Sequence, residues 1–156
     1  MALKDTTQLL TAQAEYGTIA DIEYAMLSHT ATGYLLLEAV AATDYTTYFW
    51  RAPKACTVTG AWLVPNGTLT ADNTNFSTVS IGKEDGAAGG ITAVVTALTT
   101  AITGTGNWAI GTTETFAVLP ASAHMDAGEV LAFVSAKSGT GVAVPSCSVI
   151  VEYKFD

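Results

Sequence analysis

Residues 147–155 read CSVIVEYKF, and this stretch decides the fold class. Its apolar residues recur at every second position, which in a β-strand places them on one face of the sheet. The polar residues Ser148, Glu152 and Lys154 occupy intervening positions. The pattern therefore predicts a strand with one face in a hydrophobic core. The residues predicted for that inner face are Cys147, Val149, Val151, Tyr153 and Phe155.

Similar short apolar segments precede this one, and turn residues such as Pro65-Asn66-Gly67 and Ser138-Gly139 separate them. No long helical pattern interrupts residues 45–156, which argues against parallel crossover units. The sequence therefore predicts an all-β protein: an antiparallel β-sandwich or jelly roll of about eight strands with an N-terminal arm. Besides 147–155, the predicted strands are 34–40, 45–51, 56–64, 76–82, 91–98, 113–119 and 129–136.

Strict alternation assigns faces within two of these strands. In 45–51 it places Tyr48 and Trp50 on one face, opposite Tyr45 and Phe49. In 56–64 it places four residues on one face, namely Cys56, Val58, Trp62 and Val64.

The segment 129–136 carries large apolar groups on both faces, although only one face of a sheet in a two-layer sandwich meets the core. The other face must meet a neighbouring segment, the N-terminal arm or another subunit. The aromatic residues at 45–50 raise the same question, since aromatics are enriched at interfaces but also fill cores. The candidate interface residues are Tyr45, Tyr48, Phe49, Trp50, Leu131 and Phe133.

Residues 1–44 lack a clear strand rhythm and are predicted to form an arm, with the β-sandwich domain in residues 45–156. Asp5 or Thr6 can cap a short helix that stops at Gly17. The first of the predicted strands also belongs to this arm. Two interpretations stay open: the arm lies on a neighbouring molecule, or it packs on its own domain as ordinary strands.

Charged residues make up 13% of the chain, about half the usual share of about 25%. Ala and Thr, with 26 and 25 residues, supply close to a third of it. Such small neutral side chains lose little rotamer entropy when a partner covers them, which favours a role in an assembly over a plain soluble surface. The formal net charge is −8 with six Lys and Arg together. The composition therefore argues against nucleic acid and against an anionic membrane as partners.

The residues that carry most enzyme chemistry are scarce. The two histidines, His29 and His124, are far apart, and no nucleophile elbow, phosphate loop or zinc-peptidase motif occurs. Cys56 and Cys147 are too few for a disulfide framework or a zinc site, and they are predicted to be buried thiols that do not pair. The sequence therefore predicts a non-enzyme without catalytic residues, cofactor or metal.

Two oxygen-rich features leave alternatives open. Glu114 and Glu129 can in principle do acid–base work on a glycan, although surface carboxylates are the usual interpretation. The loop Asp72-Asn73-Thr74-Asn75 has oxygen ligands that suit Ca²⁺ but lacks the spacing of an EF-hand, so a capped turn is favoured.

The first residues, MALKDTTQ, contain no apolar core of a signal peptide, and no apolar stretch reaches the length of about 18 residues that spans a bilayer. We therefore expect the chain to be made and kept, or assembled, in a cytoplasm.

Five segments together carry a family resemblance. They are ACTVTGA at 55–61, ADNTNF at 71–76, DAGEVL at 126–131, GVAVP at 141–145 and VIVEY at 149–153. This rhythm of strands and turns resembles the jelly-roll decoration (cement) proteins of tailed bacteriophages. The resemblance implies a homotrimer on the outer capsid surface of the virion, near three-fold positions, where it clamps the major capsid protein. It also implies an N-terminal arm in contact with a neighbour, and it supplies no catalytic residue.

A second hypothesis is a receptor- or glycan-binding β-sandwich module of a phage fibre or spike. Sandwich lectins use aromatic platforms, so an exposed Trp62 or Trp108 beside Asp or Asn would favour it. An enzyme would instead need a pocket with convergent carboxylates or histidines. The fold alone does not separate these functions, because sandwiches host many of them.

Overall fold

The computed structural model describes residues 27–36, 38, 40–84 and 90–156. These residues form ten strands, and all pairings between the strands are antiparallel. The strands are β1 (His29–Leu35), β2 (Tyr45–Arg51), β3 (Cys56–Pro65), β4 (Phe76–Glu84), β5 (Thr92–Ala93), β6 (Leu98–Thr99), β7 (Glu114–Phe116), β8 (His124–Met125), β9 (Val130–Ser138) and β10 (Cys147–Phe155). Among the described residues, no helix is long and apolar enough to cross a bilayer. The helix predicted after Asp5 lies outside the described residues.

The strands form two five-stranded sheets in the order of a jelly roll. Sheet A has the order β1-β10-β3-β7, with β8 also paired to β3, and sheet B has the order β2-β9-β4-β5, with β6 also paired to β4. The chain alternates between the two sheets from β1 to β4. The two-residue strands β5 and β6 both border β4 and act as one interrupted edge. The predicted all-β sandwich, or jelly roll, is therefore confirmed.

The strand β10 has the inner face that its alternation predicts. All five predicted inner residues are buried, and Cys147, Val149 and Val151 are 0% exposed. They belong to one hydrophobic cluster with residues of the other sheet, such as Val79 and Ile81. The core therefore lies between the two sheets, as in other β-sandwiches.

A β-bulge in β3 changes the faces that alternation predicts. Beside Glu152 and Tyr153 the register of β3 with β10 shifts by one residue. Val58 faces the core before the bulge and Leu63 after it, so Trp62 turns outward and is half-buried. Placing Trp62 on the face of Val58 was wrong, because one extra residue reverses the alternation.

A second bulge lies in β2. Tyr48 and Trp50 pair with consecutive residues of β9, so Phe49 is the extra residue. Tyr48 is exposed, whereas the ring of Trp50 packs on Tyr153 of the opposite sheet, with 4.6 Å between ring centroids. The shared face predicted for Tyr48 and Trp50 is therefore wrong.

The first strand lies earlier than the apolar run at 34–40 indicates. β1 spans His29–Leu35 and pairs with β10 along its whole length. Two of its inner positions hold Ala31, which has only a methyl group, and Gly33, which has no side chain, so alternation gives little signal there. Sheet A therefore begins inside the segment 1–44.

Candidate protein-interaction site

One side of the sandwich ends in two neighbouring edge strands. In the described structure, β1 is an end strand of sheet A and β2 is an end strand of sheet B. They meet where Phe49 lies against Gly33, so closely that a Cβ on Gly33 would be 2.7 Å from the Phe49 Cβ. An edge strand turns one row of backbone N–H and C=O groups away from its sheet. The described part of residues 27–51 is called the edge side below.

Large apolar side chains are exposed mainly on this edge side. Among the described residues, the exposed ones are Leu27, Tyr34, Leu36, Val40, Tyr48, Ile102 and Ile110. The first five of these seven belong to the edge side, and Leu36 is 78% exposed. Tyr34 and Leu36 line one cavity, whereas Tyr48 lies beside Thr46 and Val134 on the outer face of sheet B, so these residues are neighbours along the chain rather than one patch.

A cavity of about 280 Å³ opens on the edge side. Both sheets contribute to its walls, which are mainly aliphatic and aromatic. Besides Glu38, the lining includes Tyr34, Leu35, Tyr45, Thr47, Phe133 and Val144.

A buried ion pair links the cavity wall to β9. The side chains of Lys137 and Glu38 are only 3% and 7% exposed. Lys137 Nζ donates to Glu38 Oε2, to Ser77 Oγ at 2.8 Å, to Ser135 Oγ at 2.9 Å and to the carbonyl oxygen of Val142 at 3.0 Å. An ammonium group has three N–H donors, so these four acceptors satisfy it fully. This satisfaction is what makes burial of the charge tolerable.

The two carboxylate oxygens of Glu38 have different surroundings. Oε2 accepts hydrogen bonds from Lys137 Nζ and from the Val144 N–H, the latter at 2.7 Å. Oε1 is buried and has no hydrogen-bond partner among the described residues. A buried acceptor without a donor costs about 1–3 kcal/mol. Glu38 lines the cavity, but its Oε1 is shielded from a water-sized molecule there and stays an unpaired acceptor inside the protein.

The sequence reasoning missed both members of this pair, although each carries a signal. Lys137 continues the period-two pattern of Leu131, Phe133 and Ser135, which places it on the inner face of β9. The predicted strand ended one residue earlier. Glu38 is the single charged residue in the apolar run 34–40.

Two predicted interface residues, Tyr45 and Tyr48, lie on the edge side with different exposure. Tyr48 is 51% exposed, and a hydrogen bond with the Glu84 carboxylate raises the pKa of its hydroxyl. Tyr45 is half-buried, and its hydroxyl accepts the Val40 N–H at 2.9 Å. The Lys137 Nζ lies 6.0 Å from the centroid of the Tyr45 ring. Only Tyr48 of this pair is openly available to a partner, and Tyr45 borders the cavity.

The other four predicted interface residues are turned toward the interior. Phe49 and Trp50 are partly buried and pack against the core cluster. Leu131 and Phe133 are 0% and 4% exposed. Placing Leu131 at an interface is corrected, because it fills the sandwich, whereas Phe133 is buried in the sandwich and also lines the cavity. The outer face of β9 is formed by smaller residues such as Val134.

The carboxylates Glu114 and Glu129 do not converge on a pocket. Glu129 pairs with Lys83 at 3.1 Å and accepts the Asp126 N–H at 2.8 Å. Glu114 lies on β7, where burial raises the pKa of its carboxyl group. Within the described residues, no group of three or more His, Cys, Asp and Glu is placed to hold a metal ion.

The loop at residues 72–75 is a capped turn. Asp72 Oδ1 accepts the backbone N–H of Thr74 at 2.6 Å and of Asn75 at 2.7 Å. These hydrogen bonds hold the pKa of Asp72 below its ordinary value, because they favour the charged carboxylate. The interpretation as a capped turn is confirmed.

Trp108 does not form the exposed platform that would favour a glycan-binding module. Trp108 is 1% exposed and belongs to the core cluster. Trp62 lies half-buried on the outer face of sheet A, with its ring against Gly60. The observation that would have favoured glycan binding is therefore missing at Trp108.

The two thiols are free and buried, as predicted. In the β3–β10 pair, Cys56 is opposite Phe155 and Cys147 is opposite Pro65, so the thiols lie at opposite ends. Burial raises the pKa of Cys56 to about 11 and that of Cys147 to about 12, with nearby carboxylates adding to both shifts. Both cysteines therefore act as small apolar core residues.

Comparison with protein-family models and with curated proteins finds no match. Among solved structures, this chain is similar to a chain from the structure of the infectious bursal disease virus Gx strain, with 19% sequence identity and a TM-score of 0.43. The similarity covers 83% of this chain and 32% of that chain. The jelly-roll assignment rests on the strand order of this chain itself.

Proposed function

We propose that this chain is a structural, non-enzymatic virion protein that decorates a tailed-phage capsid. In this proposal it sits on the outer surface as a homotrimer and cements the major capsid protein through protein–protein contacts, after assembly in the host cytoplasm. The observation that carries the proposal is the edge side, where two edge strands and the segments next to them carry five exposed apolar side chains.

Edge strands with free backbone groups attract other chains, and proteins usually protect them with charged side chains, Pro, a β-bulge or a very short strand. β1 is seven residues long, pairs with β10 in regular register and contains no Lys or Pro, whereas β2 of the same length carries the bulge at Phe49. The side is also poor in charge, since Asp44 and Arg51 are its exposed charged residues. A surface of this kind is suited to being covered by a neighbouring protein.

The composition supports a repeated, multivalent contact. Small neutral side chains keep the entropy cost of each contact low. Three-fold association raises the effective concentration of every further contact, so that weak individual contacts add up to stable binding. A cement protein needs this combination, because it must bind the same surface many times over a capsid.

The test measures mass and capsid binding on one sample. Light scattering gives the oligomeric state at micromolar concentration, and co-sedimentation with capsids of the virus that encodes this chain gives binding. We expect a trimer that co-sediments and raises the temperature of capsid disruption. A monomer that leaves capsids unbound and their disruption temperature unchanged contradicts the proposal.

A matched pair of variants locates the contact. Leu36→Ser removes the most exposed apolar side chain of the edge side, and Ile110→Ser removes one that is 66% exposed elsewhere. We expect Leu36→Ser to weaken trimer formation or capsid binding at least about tenfold, and Ile110→Ser to leave both unchanged. Equal effects of the two variants would remove the edge side from the proposal.

A further inference from the structure

The asparagines of the chain differ in how firmly the structure holds them. Asn66 is exposed in the bend that follows Pro65, the last residue of β3. In the part of the chain that the structure describes, its side-chain amide makes no hydrogen bond. We propose that Asn66 is a self-modification site: its side chain closes on the backbone nitrogen of Gly67, loses ammonia and becomes an aspartyl or isoaspartyl residue. This inference goes beyond the proposed capsid role and does not depend on it.

The reaction needs only the chain and water. The Gly67 nitrogen attacks the side-chain carbonyl carbon Cγ of Asn66, so that a bond forms between these two atoms while the bond from Cγ to Nδ2 breaks. Nδ2 leaves as ammonia with the proton that the Gly67 nitrogen gives up. Water then opens the resulting succinimide ring. Opening at Cγ gives an aspartate in a normal backbone, and opening at the backbone carbonyl carbon gives an isoaspartate whose main chain runs through Cβ and Cγ.

Both reacting groups are free at this bend. Gly67 has no Cβ to hinder the approach of the Asn66 side chain to its nitrogen. Among the described residues, the Gly67 N–H donates no hydrogen bond. The backbone N–H of Asn66 donates to the carbonyl oxygen of Ser146 at 2.8 Å, so the main chain is anchored while the side chain stays in solvent. No hydrogen bond has to break before the ring closes.

The side-chain oxygens of the other three asparagines are all held by hydrogen bonds. Each accepts a backbone N–H from a residue far along the chain, which fixes the carbonyl group that would have to be attacked. The pairs are Asn73 with Thr103 at 3.3 Å, Asn75 with Thr140 at 2.9 Å and Asn107 with Ala71 at 2.7 Å.

The attacking N–H is held as well at two of these three positions. After Asn73, the Thr74 N–H donates to Asp72 Oδ1 at 2.6 Å. After Asn107, the Trp108 N–H donates to the carbonyl oxygen of Leu69 at 2.9 Å. Ring closure at these positions therefore costs two hydrogen bonds before it begins, and it costs none at Asn66.

Conversion changes the end of β3 in charge and in shape. A carboxylate replaces a neutral amide, which adds one negative charge to the formal −8 of the chain. An isoaspartate also lengthens the main chain where there is little room, since a Cβ on Gly67 would lie 3.0 Å from the Cβ of Pro145. Aged protein should therefore be a mixture that anion-exchange chromatography separates.

The first experiment follows all four asparagines in one sample. The folded full chain is incubated at pH 8, digested in heavy-oxygen water to mark conversion during digestion, and mapped by mass spectrometry. We expect Asn66 to convert at least about tenfold faster than each of the other three, the factor that corresponds to two hydrogen bonds of ordinary net strength. Asn66→Gln keeps the amide but makes ring closure slow, so it should abolish the change in that peptide. An unmodified Asn66, or equal rates at all four positions, overturns the inference.

A matched variant separates the fold from the local sequence. In Thr74→Gly, Asn73 is also followed by glycine, while the hydrogen bonds to Asn73 Oδ1 and to Asp72 can still form. In the folded variant we expect Asn73 to convert at least about tenfold more slowly than Asn66. In urea, where both positions are unfolded, we expect their rates to agree within about twofold. If Asn73 converts as fast as Asn66 in the folded variant, hydrogen bonding does not select the site and the inference fails.

Discussion

In the middle of the sandwich, Val149 and Val151 of β10 and Leu63 of β3 are 0% exposed and belong to one apolar cluster. Toward the cavity, the interior instead holds the Lys137–Glu38 ion pair, whose side chains are 3% and 7% exposed. The side chains are almost equally buried in the two regions, but one region is apolar and the other holds two opposite charges. Burial alone therefore does not say what a substitution will cost.

The two regions stabilise the fold in different ways. Each apolar residue contributes free energy of folding in proportion to the apolar area that it removes from water. Truncating such a residue costs the transfer free energy of the lost atoms and, in addition, the free energy of the cavity left behind. The ion pair gains little net free energy, because desolvation offsets the attraction between the charges. Removing one partner is nevertheless costly, since the other is left buried and unpaired. The polar region should therefore be less tolerant of single changes and more tolerant of paired ones.

The largest effect is expected at Lys137. Lys137→Met leaves the Glu38 carboxylate buried without its cation, and we expect the free energy of unfolding to fall by about 3–5 kcal/mol. Urea unfolding at pH 7 measures the change. The double variant with Glu38→Leu removes both charges and should recover most of the loss. If the double variant is as unstable as the single one, the comparison between the two regions fails.

The next effect is expected at Leu63, in the apolar region. Leu63→Ala should lower the free energy of unfolding by about 2–5 kcal/mol, because the two sheets collapse only partly around the missing atoms. Ile110→Ala is the control, since Ile110 is 66% exposed, and its change should stay within about 0.5 kcal/mol. Thermal unfolding of both variants beside wild type gives the answer. A loss at Leu63 no larger than at Ile110 would show that this core is loosely packed.

A smaller effect is expected at Ser135. The two buried thiols, at opposite ends of the β3–β10 pair, report where in the fold this effect acts. Ser135→Ala removes one of the four acceptors of Lys137 Nζ, so it should cost only about 1 kcal/mol overall. Local opening should rise near Cys147, which feels the Glu38 charge, and not near Cys56. We expect alkylation at pH 8, followed by mass spectrometry, to become about fivefold faster at Cys147 alone. Equal acceleration of both thiols indicates global unfolding and contradicts a local role for the polar region.

The same contrast explains how far the sequence predicts the fold. The regular strand β10 lies in the apolar region, and its predicted bounds and inner face are both confirmed. β2 and β3 also have nearly the predicted bounds, but a bulge in each reverses the alternation at Trp50 and at Trp62. A bulge depends on the partner strand as well as on local sequence. The positions of β2, β3 and β10 were therefore predictable, whereas β1 begins before the predicted 34–40, and the predicted strand 91–98 is replaced by the two-residue strands β5 and β6. Side-chain faces were predictable only where the pairing is regular.

The candidate site was predictable in part for the same reason. Tyr48 was singled out as one of four aromatics at 45–50, and among these four it is the exposed one. The Glu38–Lys137 pair joins residues 99 positions apart, and only the jelly-roll order brings them together. Leu131 and Phe133 looked like a second apolar face because the strand was judged by hydrophobicity alone, although they share the inner face with Ser135 and Lys137. The missed signal was Lys137, a charged residue at a position that continues the apolar inner face of β9.

The smallest effect is expected at Asp72, an exposed carboxylate that contrasts with the buried Glu38. The backbone N–H groups of Asn75 and Thr74 lower its pKa, so its contribution is present above the pKa of the unfolded chain, about 3.9, and is lost as pH falls through the lower folded value. Asp72→Ala should therefore be less stable than wild type at pH 7, and the gap should close in strong acid. Asp72→Asn keeps an acceptor oxygen without the charge and should lie between the two at pH 7. Urea midpoints between pH 2 and pH 7 test this, and a gap that persists at pH 2 would show that the turn depends on shape rather than on the carboxylate charge.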